Sequence, residues 1–133
     1  MLRLRGAAVA CVSAVLVAAC HTTADYRTGF TQVGLASWYG AYFHHRRTAT
    51  GEVFDMYGRT AAHRTLPLNS YVRVTMLATG RSVVVRINDR GPYVADRIID
   101  LSAGAASHLG MKEDGIARVR IELVSASEAT IRR

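Results

Sequence analysis

A small closed β-barrel is the fold this sequence predicts, and three observations predict it. Five or six short β-prone runs, several of them strictly alternating, are packed into roughly 90 residues with turn residues between them. Only one stretch carries helix start and stop signals, so helices are accessory. At 133 residues there is room for one domain, and closing its sheet is the way to leave no edge exposed.

The elements follow in order from Val33. Gly34 to Tyr39 is β-prone and is closed by Gly40, after which residues 41–51 form an irregular loop that holds His44-His45-Arg46-Arg47. Glu52 and Asp55 lie three residues apart and share a face if residues 52–57 make a helical turn. Ala61-Ala62-His63 is a short run ending before Leu66-Pro67. Tyr71 to Thr75 alternates with Val72 and Val74 inward, and Arg81 to Asp89 alternates with Val83, Val85 and Ile87 inward. With the break at Ala78-Thr79-Gly80 between them, the pair reads as a β-hairpin. Ser102 is a good N-cap for a helix over Ala103 to Leu109, which Gly110 terminates. Ile116 to Leu123 closes the domain, Val119, Ile121 and Leu123 facing in and Arg118, Arg120 and Glu122 facing out. No internal repeat or low-complexity tract is present.

The run from Arg86 to Ser102 holds the strongest chemical signal. It leaves a strand at Asp89 and breaks at Arg90-Gly91-Pro92, which places a carboxylate at a strand end, where rigid sheets hand side chains to clefts. Two readings of Asp89 stand at this point, a site carboxylate and a turn residue.

Charge and the N-terminus place the chain. The net charge of +7 rests almost wholly on arginine, Lys112 being the single lysine, and suggests an anionic partner without naming one. Met1 to Arg5 is a basic leader and Gly6 to Val17 an apolar run, together an export signal. It ends in Val17-Ala18-Ala19-Cys20, which resembles the lipobox of bacterial lipoproteins, so residues 1–19 are expected to be removed and Cys20 to carry lipid. The alternatives are a plain secretory signal or a short membrane anchor. Cleavage removes Cys11 and leaves one cysteine, so no internal disulfide is expected. Residues 20–32 read as a polar tether. His21 after the cysteine, by resemblance to Gram-negative lipoproteins, points to the outer membrane facing the periplasm.

Gly34-Leu35-Ala36-Ser37-Trp38-Tyr39-Gly40, Thr48-Ala49-Thr50-Gly51-Glu52, Thr60-Ala61-Ala62-His63, Leu66-Pro67, Tyr71-Val72-Arg73-Val74-Thr75, Gly80 to Arg86 and Asn88-Asp89-Arg90-Gly91-Pro92 resemble, in this order, the domain of the rare lipoprotein A family. The resemblance covers residues 33–124, leaving 125–133 as a tail, and implies a six-stranded double-psi β-barrel with one or two short helices. It further implies an endolytic lytic transglycosylase acting on peptidoglycan glycan strands. Such an enzyme cleaves the β-1,4 bond between N-acetylmuramic acid and N-acetylglucosamine as the C6 hydroxyl closes a 1,6-anhydro ring. One carboxyl gives a proton to the leaving oxygen and takes one from the hydroxyl. Carried over residue by residue, the resemblance assigns Asp89 as general acid/base, Asp55 and His63 as groups that orient the sugar or tune that carboxyl, and Glu52 as a stabiliser of an oxocarbenium-like state or a substrate ligand.

Trp38 and Tyr39 either stack on a pyranose or fill the barrel, and packing is expected for one of them. Arg46, Arg47 and Arg90 are a solvated face or meet lactyl carboxylates of glycan stripped of peptide. His44, His45 and His63 fit no common zinc spacing, so no metal and no cofactor is expected. An exported lipoprotein is in the wrong compartment for nucleic acid, and a monomer is expected. Many relatives carry a C-terminal sporulation-related repeat that binds denuded glycan, whereas this chain ends at Arg133, which leaves septal targeting without support. The competing function is a non-catalytic, expansin-like wall-binding module.

Overall fold

The computed structural model describes residues 29–131. The expected signal peptide, Cys20 and most of the tether lie outside the described residues. Six strands close into a barrel: β1 (Thr31–Tyr39), β2 (Thr60–Ala62), β3 (Tyr71–Met76), β4 (Ser82–Asp89), β5 (Arg97–Ser102) and β6 (Ala117–Val124), in the spatial order β1-β5-β2-β4-β3-β6. The β1/β5 and β2/β4 pairs are parallel and the other four antiparallel. Two short helices complete the fold, α1 (Ala103–Leu109) and α2 (Ala126–Ile131).

The alternation read in the sequence is what fills the barrel. Val72 and Val74 of β3, Val85 and Ile87 of β4, and Val119 and Ile121 of β6 are fully buried, joined by Ile99 and Leu101 of β5 and Leu109 of α1. β3 and β4 form the expected hairpin, with Val72 opposite Val85 and Val74 opposite Val83. α1 is capped as its residues dictate: the Ser102 hydroxyl accepts from the Ala105 N–H, and Gly110 takes the left-handed conformation at φ 83° that a side chain resists.

Four details differ from the sequence reading. β1 starts at Thr31, two residues inside the stretch read as tether, because Thr31 and Gln32 pair with Glu122 and Ile121 of β6. β5 is a full strand that strict alternation does not reveal, and the stretch read as a tail contains α2. Residues 52–57 make no helical turn; Val53 instead bridges to Arg47 and closes a small loop whose turn is Thr48 to Gly51.

Two β-bulges position the carboxylates. Between β2 and β4 the register runs Ala61 to Ile87 and then Ala62 to Asp89, so Asn88 is an extra residue. Strict alternation from Val83, Val85 and Ile87 would turn Asp89 into the core. The bulge leaves Ile87 and Asn88 both buried and brings Asp89 to the outer face. In β5 the register against β1 skips from Arg97 to Ile99, which buries Ile98 and Ile99 together.

Candidate active site

Ala62, at the end of β2, pairs with Asp89 of β4 on one side and with Asp100 of β5 on the other. The three residues form one row across adjacent strands, which sets the two aspartate backbones about 10 Å apart, two strand spacings. All three line one cleft of about 170 Å³, together with Tyr39, Phe43, Arg46, Arg47 and Arg90. The small Ala62 is its floor.

Asp89 is held by its neighbours in a way that leaves one oxygen to the cleft. Its Oδ1 accepts from the N–H of Ala49 at 3.1 Å and of Arg90 at 2.9 Å; no hydrogen bond to Oδ2 is formed among the described residues. Asp100 makes a bidentate ion pair with Arg97, whose Nη2 lies 2.7 Å from Oδ2 and 2.8 Å from Oδ1. The Tyr39 hydroxyl is buried with no hydrogen-bond partner among the described residues. Burial first, then the charges of Asp89, Asp100 and Glu52, raise its pKa well above the ordinary value, so it remains a protonated donor. Its ring packs on Phe54 and Phe43.

Trp38 does not reach this cleft. It is partly buried, packs against the core and donates its indole N–H to the Lys112 carbonyl at 3.0 Å, so of the two aromatics Tyr39 lines this cleft and Trp38 does not. Arg90 Nη1 donates to the carbonyls of His63 and Leu66, and Arg47 Nη1 to that of Gly51. Arg46 lies over the Tyr42 ring, 4.3 Å from its centroid, and is exposed. Of the three arginines Arg46 is the one whose guanidinium is not tied to the chain's own carbonyls among the described residues.

Glu52 and Asp55 are not gathered with Asp89. They line a second, larger cleft of about 560 Å³ with Arg59, Thr60, Arg86 and Asn88. The loop 47–54 separates the two clefts: Thr48 and Phe54 line one, Glu52 and Val53 the other. Glu52 is clamped by Arg86 through Nη1–Oε1 and Nη2–Oε2 contacts of 2.7 and 2.8 Å. Its pKa falls to about 2, chiefly through the Arg86 hydrogen bond, with Thr50, the Arg86 charge and the Asn88 amide adding to it against the cost of burial. A carboxylate held so firmly ionised does not exchange protons near neutrality. Asp55 is exposed and accepts from the Tyr57 N–H.

His63 is only 4% exposed and lines neither cleft. Its Nδ1 accepts from the N–H groups of Thr65 and Leu66, which leaves the proton on Nε2 to be donated to Gln32 Oε1 at 3.0 Å. Burial, and then the charges of Arg64 and Arg90, lower its pKa to about 4. The ring therefore pins the turn after β2, while the His63 backbone holds the site, donating its N–H to the Asp89 carbonyl. Asp100 is the residue the sequence reading missed. His44 accepts from the Met56 N–H, and no cluster of metal-ligating side chains is found among the described residues.

A family model described as lytic transglycolase matches residues 31–121. The endolytic peptidoglycan transglycosylase RlpA of Pseudomonas aeruginosa is 61% identical over 93 residues, 70% of this chain and 27% of the relative. The proteins of the same name from Vibrio cholerae and Neisseria meningitidis serogroup B are 54% and 57% identical, over 77% and 78% of this chain and 39% and 44% of theirs. The chain thus spans less than half the length of these curated relatives. In fold it is similar to a Streptomyces papain inhibitor (TM-score 0.60, 22% identity, covering 73% of this chain and 96% of that one) and to a Clavibacter michiganensis expansin (TM-score 0.59, 18% identity, 73% and 52%).

Proposed function

Because this chain belongs to the RlpA-like lytic transglycolase family of double-psi β-barrels, we propose that it is an endolytic peptidoglycan lytic transglycosylase. The observation that carries the proposal is the cleft in which Asp89 and Asp100 flank Ala62. The scissile bond joins C1 of N-acetylmuramic acid to O4 of N-acetylglucosamine. Asp89, through Oδ2, gives a proton to O4 as the C1–O4 bond breaks. The C6 oxygen of the muramoyl residue then bonds to C1, and its proton passes to the Asp89 carboxylate, restoring the acid. No water is consumed, and the new end is a 1,6-anhydro sugar. The negative charge that Asp100 shares with Arg97 faces the positive charge developing at C1. Tyr39 remains a hydrogen-bond donor in the same cleft.

Peptide-poor glycan suits the site, because the exposed guanidinium of Arg46 is positioned to meet the lactyl carboxylate that is free only when the stem peptide is gone. The chain acts, in this proposal, as a monomer held to the outer membrane by lipid on Cys20 and facing the periplasm. Incubating purified sacculi with the protein and analysing the released material by mass spectrometry tests the activity: soluble fragments with 1,6-anhydro ends support it, and intact sacculi with bound protein favour a wall-binding module.

A further inference from the structure

The turn from Thr48 to Gly51 belongs to the loop that separates the two clefts, and it touches a carboxylate of each. On one side the Ala49 N–H donates to Asp89 Oδ1 at 3.1 Å. On the other the Thr50 hydroxyl donates to Glu52 Oε1 at 2.9 Å, and Glu52 is held in turn by Arg86 of β4. Arg86 Nη1 also donates to Asn69 Oδ1 at 3.0 Å. A chain of side-chain hydrogen bonds therefore runs from Asn69 through Arg86 and Glu52 to Thr50, the residue next to the one that holds Asp89.

Elementary chemistry sets the direction of these bonds. Glu52, paired with Arg86, is a carboxylate and only accepts, so the one hydroxyl proton of Thr50 goes to it. Thr48 Oγ1, 2.9 Å from Thr50 Oγ1, then donates to Thr50. Several other bonds close the loop on itself: Thr48 N–H to the Glu52 carbonyl, Gly51 N–H to the Thr48 carbonyl and Arg47 Nη1 to the Gly51 carbonyl. Two bonds from Thr50 instead tie the turn to β4, one from its N–H to the Asn88 carbonyl at 3.2 Å and one from its hydroxyl through Glu52 to Arg86. The two restraints on Asp89 Oδ1 differ in the same way. The Arg90 N–H belongs to the next residue and moves with Asp89, whereas Ala49 lies 40 positions away in the chain and fixes the carboxyl against the cleft wall.

We propose that Thr50 is a positioning residue for the reaction: its hydroxyl fastens the turn to the Glu52–Arg86 pair, and the fastened turn holds Asp89 by Oδ1 so that Oδ2 is the oxygen presented to the glycan. The inference rests on the reading of the protein as a glycan-cleaving enzyme and names what aims its acid. Glu52 then serves the reaction from the neighbouring cleft, through Thr50 and Ala49, without meeting the sugar bond that breaks.

Rates of 1,6-anhydro end formation over a range of concentrations of soluble, peptide-free glycan strands separate kcat from KM. Thr50→Val keeps the shape and the N–H of the residue and loses the hydroxyl. It should lower kcat about ten- to hundredfold, as a misaimed acid does, and leave KM within about twofold. Thr50→Ser retains the hydroxyl and should hold kcat within about threefold of the wild type. Hydrogen exchange of the Ala49 amide, followed by NMR, reads the restraint without any activity: it should quicken about tenfold in Thr50→Val and stay near the wild-type rate in Thr50→Ser. If Thr50→Val does not fold, Thr50→Ala carries the same expectations. A folded hydroxyl-free variant with the wild-type kcat, an equal loss in Thr50→Ser, or Ala49 exchange unchanged by loss of the hydroxyl overturns the proposal. Absence of product from the wild type removes the lyase reading, and the restraint on Asp89 is then decided by the amide alone: faster exchange without the hydroxyl supports it and unchanged exchange overturns it.

Discussion

Asp89 and Asp100 stand on either side of Ala62, each in register with it, one on β4 and the other on β5. Neither alternation nor motif spacing places them together, since eleven positions and a Gly-Pro turn separate them in the chain. If Asp100 opposes the charge that develops at the sugar, Asp100→Asn should keep a hydrogen bond to Arg97 and retain glycan binding. It should nevertheless slow the release of 1,6-anhydro product about tenfold or more. A folded variant with the wild-type rate would assign Asp100 to the Arg97 ion pair alone.

His63 predicts a pH dependence of stability. Its folded pKa is about 4 against 6.5 for an ordinary histidine, so between these values the unfolded chain binds the extra proton and the folded one does not. Stability is therefore complete above pH 6.5 and is lost as the pH falls toward 4, by about 3 kcal/mol in all. Glu52, lowered from 4.5 to about 2, contributes in full above 4.5 and loses its contribution progressively as the pH falls from 4.5 through 2, below most of the window in which His63 acts. Melting temperatures measured from pH 7 to 4 should decline more steeply for the wild type than for His63→Gln. Parallel curves would contradict the assignment.

The barrel core is legible in the sequence because β3, β6 and β4 as far as Ile87 alternate strictly, and α1 because Ser102 and Gly110 carry its cap chemistry. Where a bulge adds a residue the period of two fails. β5 hides from a period-two pattern because Ile98 and Ile99 are both buried, and Asp100 is hidden with it. The resemblance groups Glu52 and Asp55 with Asp89 by motif alone, whereas the loop closed by the Arg47–Val53 bridge sets them in the next cleft. His63 carries no sequence mark that distinguishes a ring aimed at solvent from one capping backbone N–H groups, and only the turn at Thr65 and Leu66 reveals it.

Val85 tests the core directly. Fully buried in the hydrophobic core and opposite Val72, it sits where a charge would be taken out of water, and Val85→Asp should destabilise the domain by several kcal/mol, enough to prevent folding. Circular dichroism of the purified variant checks this, and a wild-type melting curve would remove Val85 from the core.

The Val17-Ala18-Ala19-Cys20 sequence predicts a mature chain that begins at a lipid-modified Cys20 and fractionates with membranes. Mass spectrometry of the N-terminal peptide reads the modification. An unmodified cysteine in a soluble periplasmic form would leave the anchor without basis, as would Cys20→Ser that stays membrane-bound.

The most direct measurement compares wild type and Asp89→Asn on purified sacculi, scoring both bound protein and soluble 1,6-anhydro ends by mass spectrometry. Asparagine keeps the shape and still accepts from Ala49 and Arg90, but it cannot deliver or take up the proton. The variant should bind sacculi much as the wild type does while its product release falls by about 10² to 10⁴. Equal release from a folded Asp89→Asn, or no product from the wild type, would contradict the assignment of the Asp89 cleft as the site of cleavage.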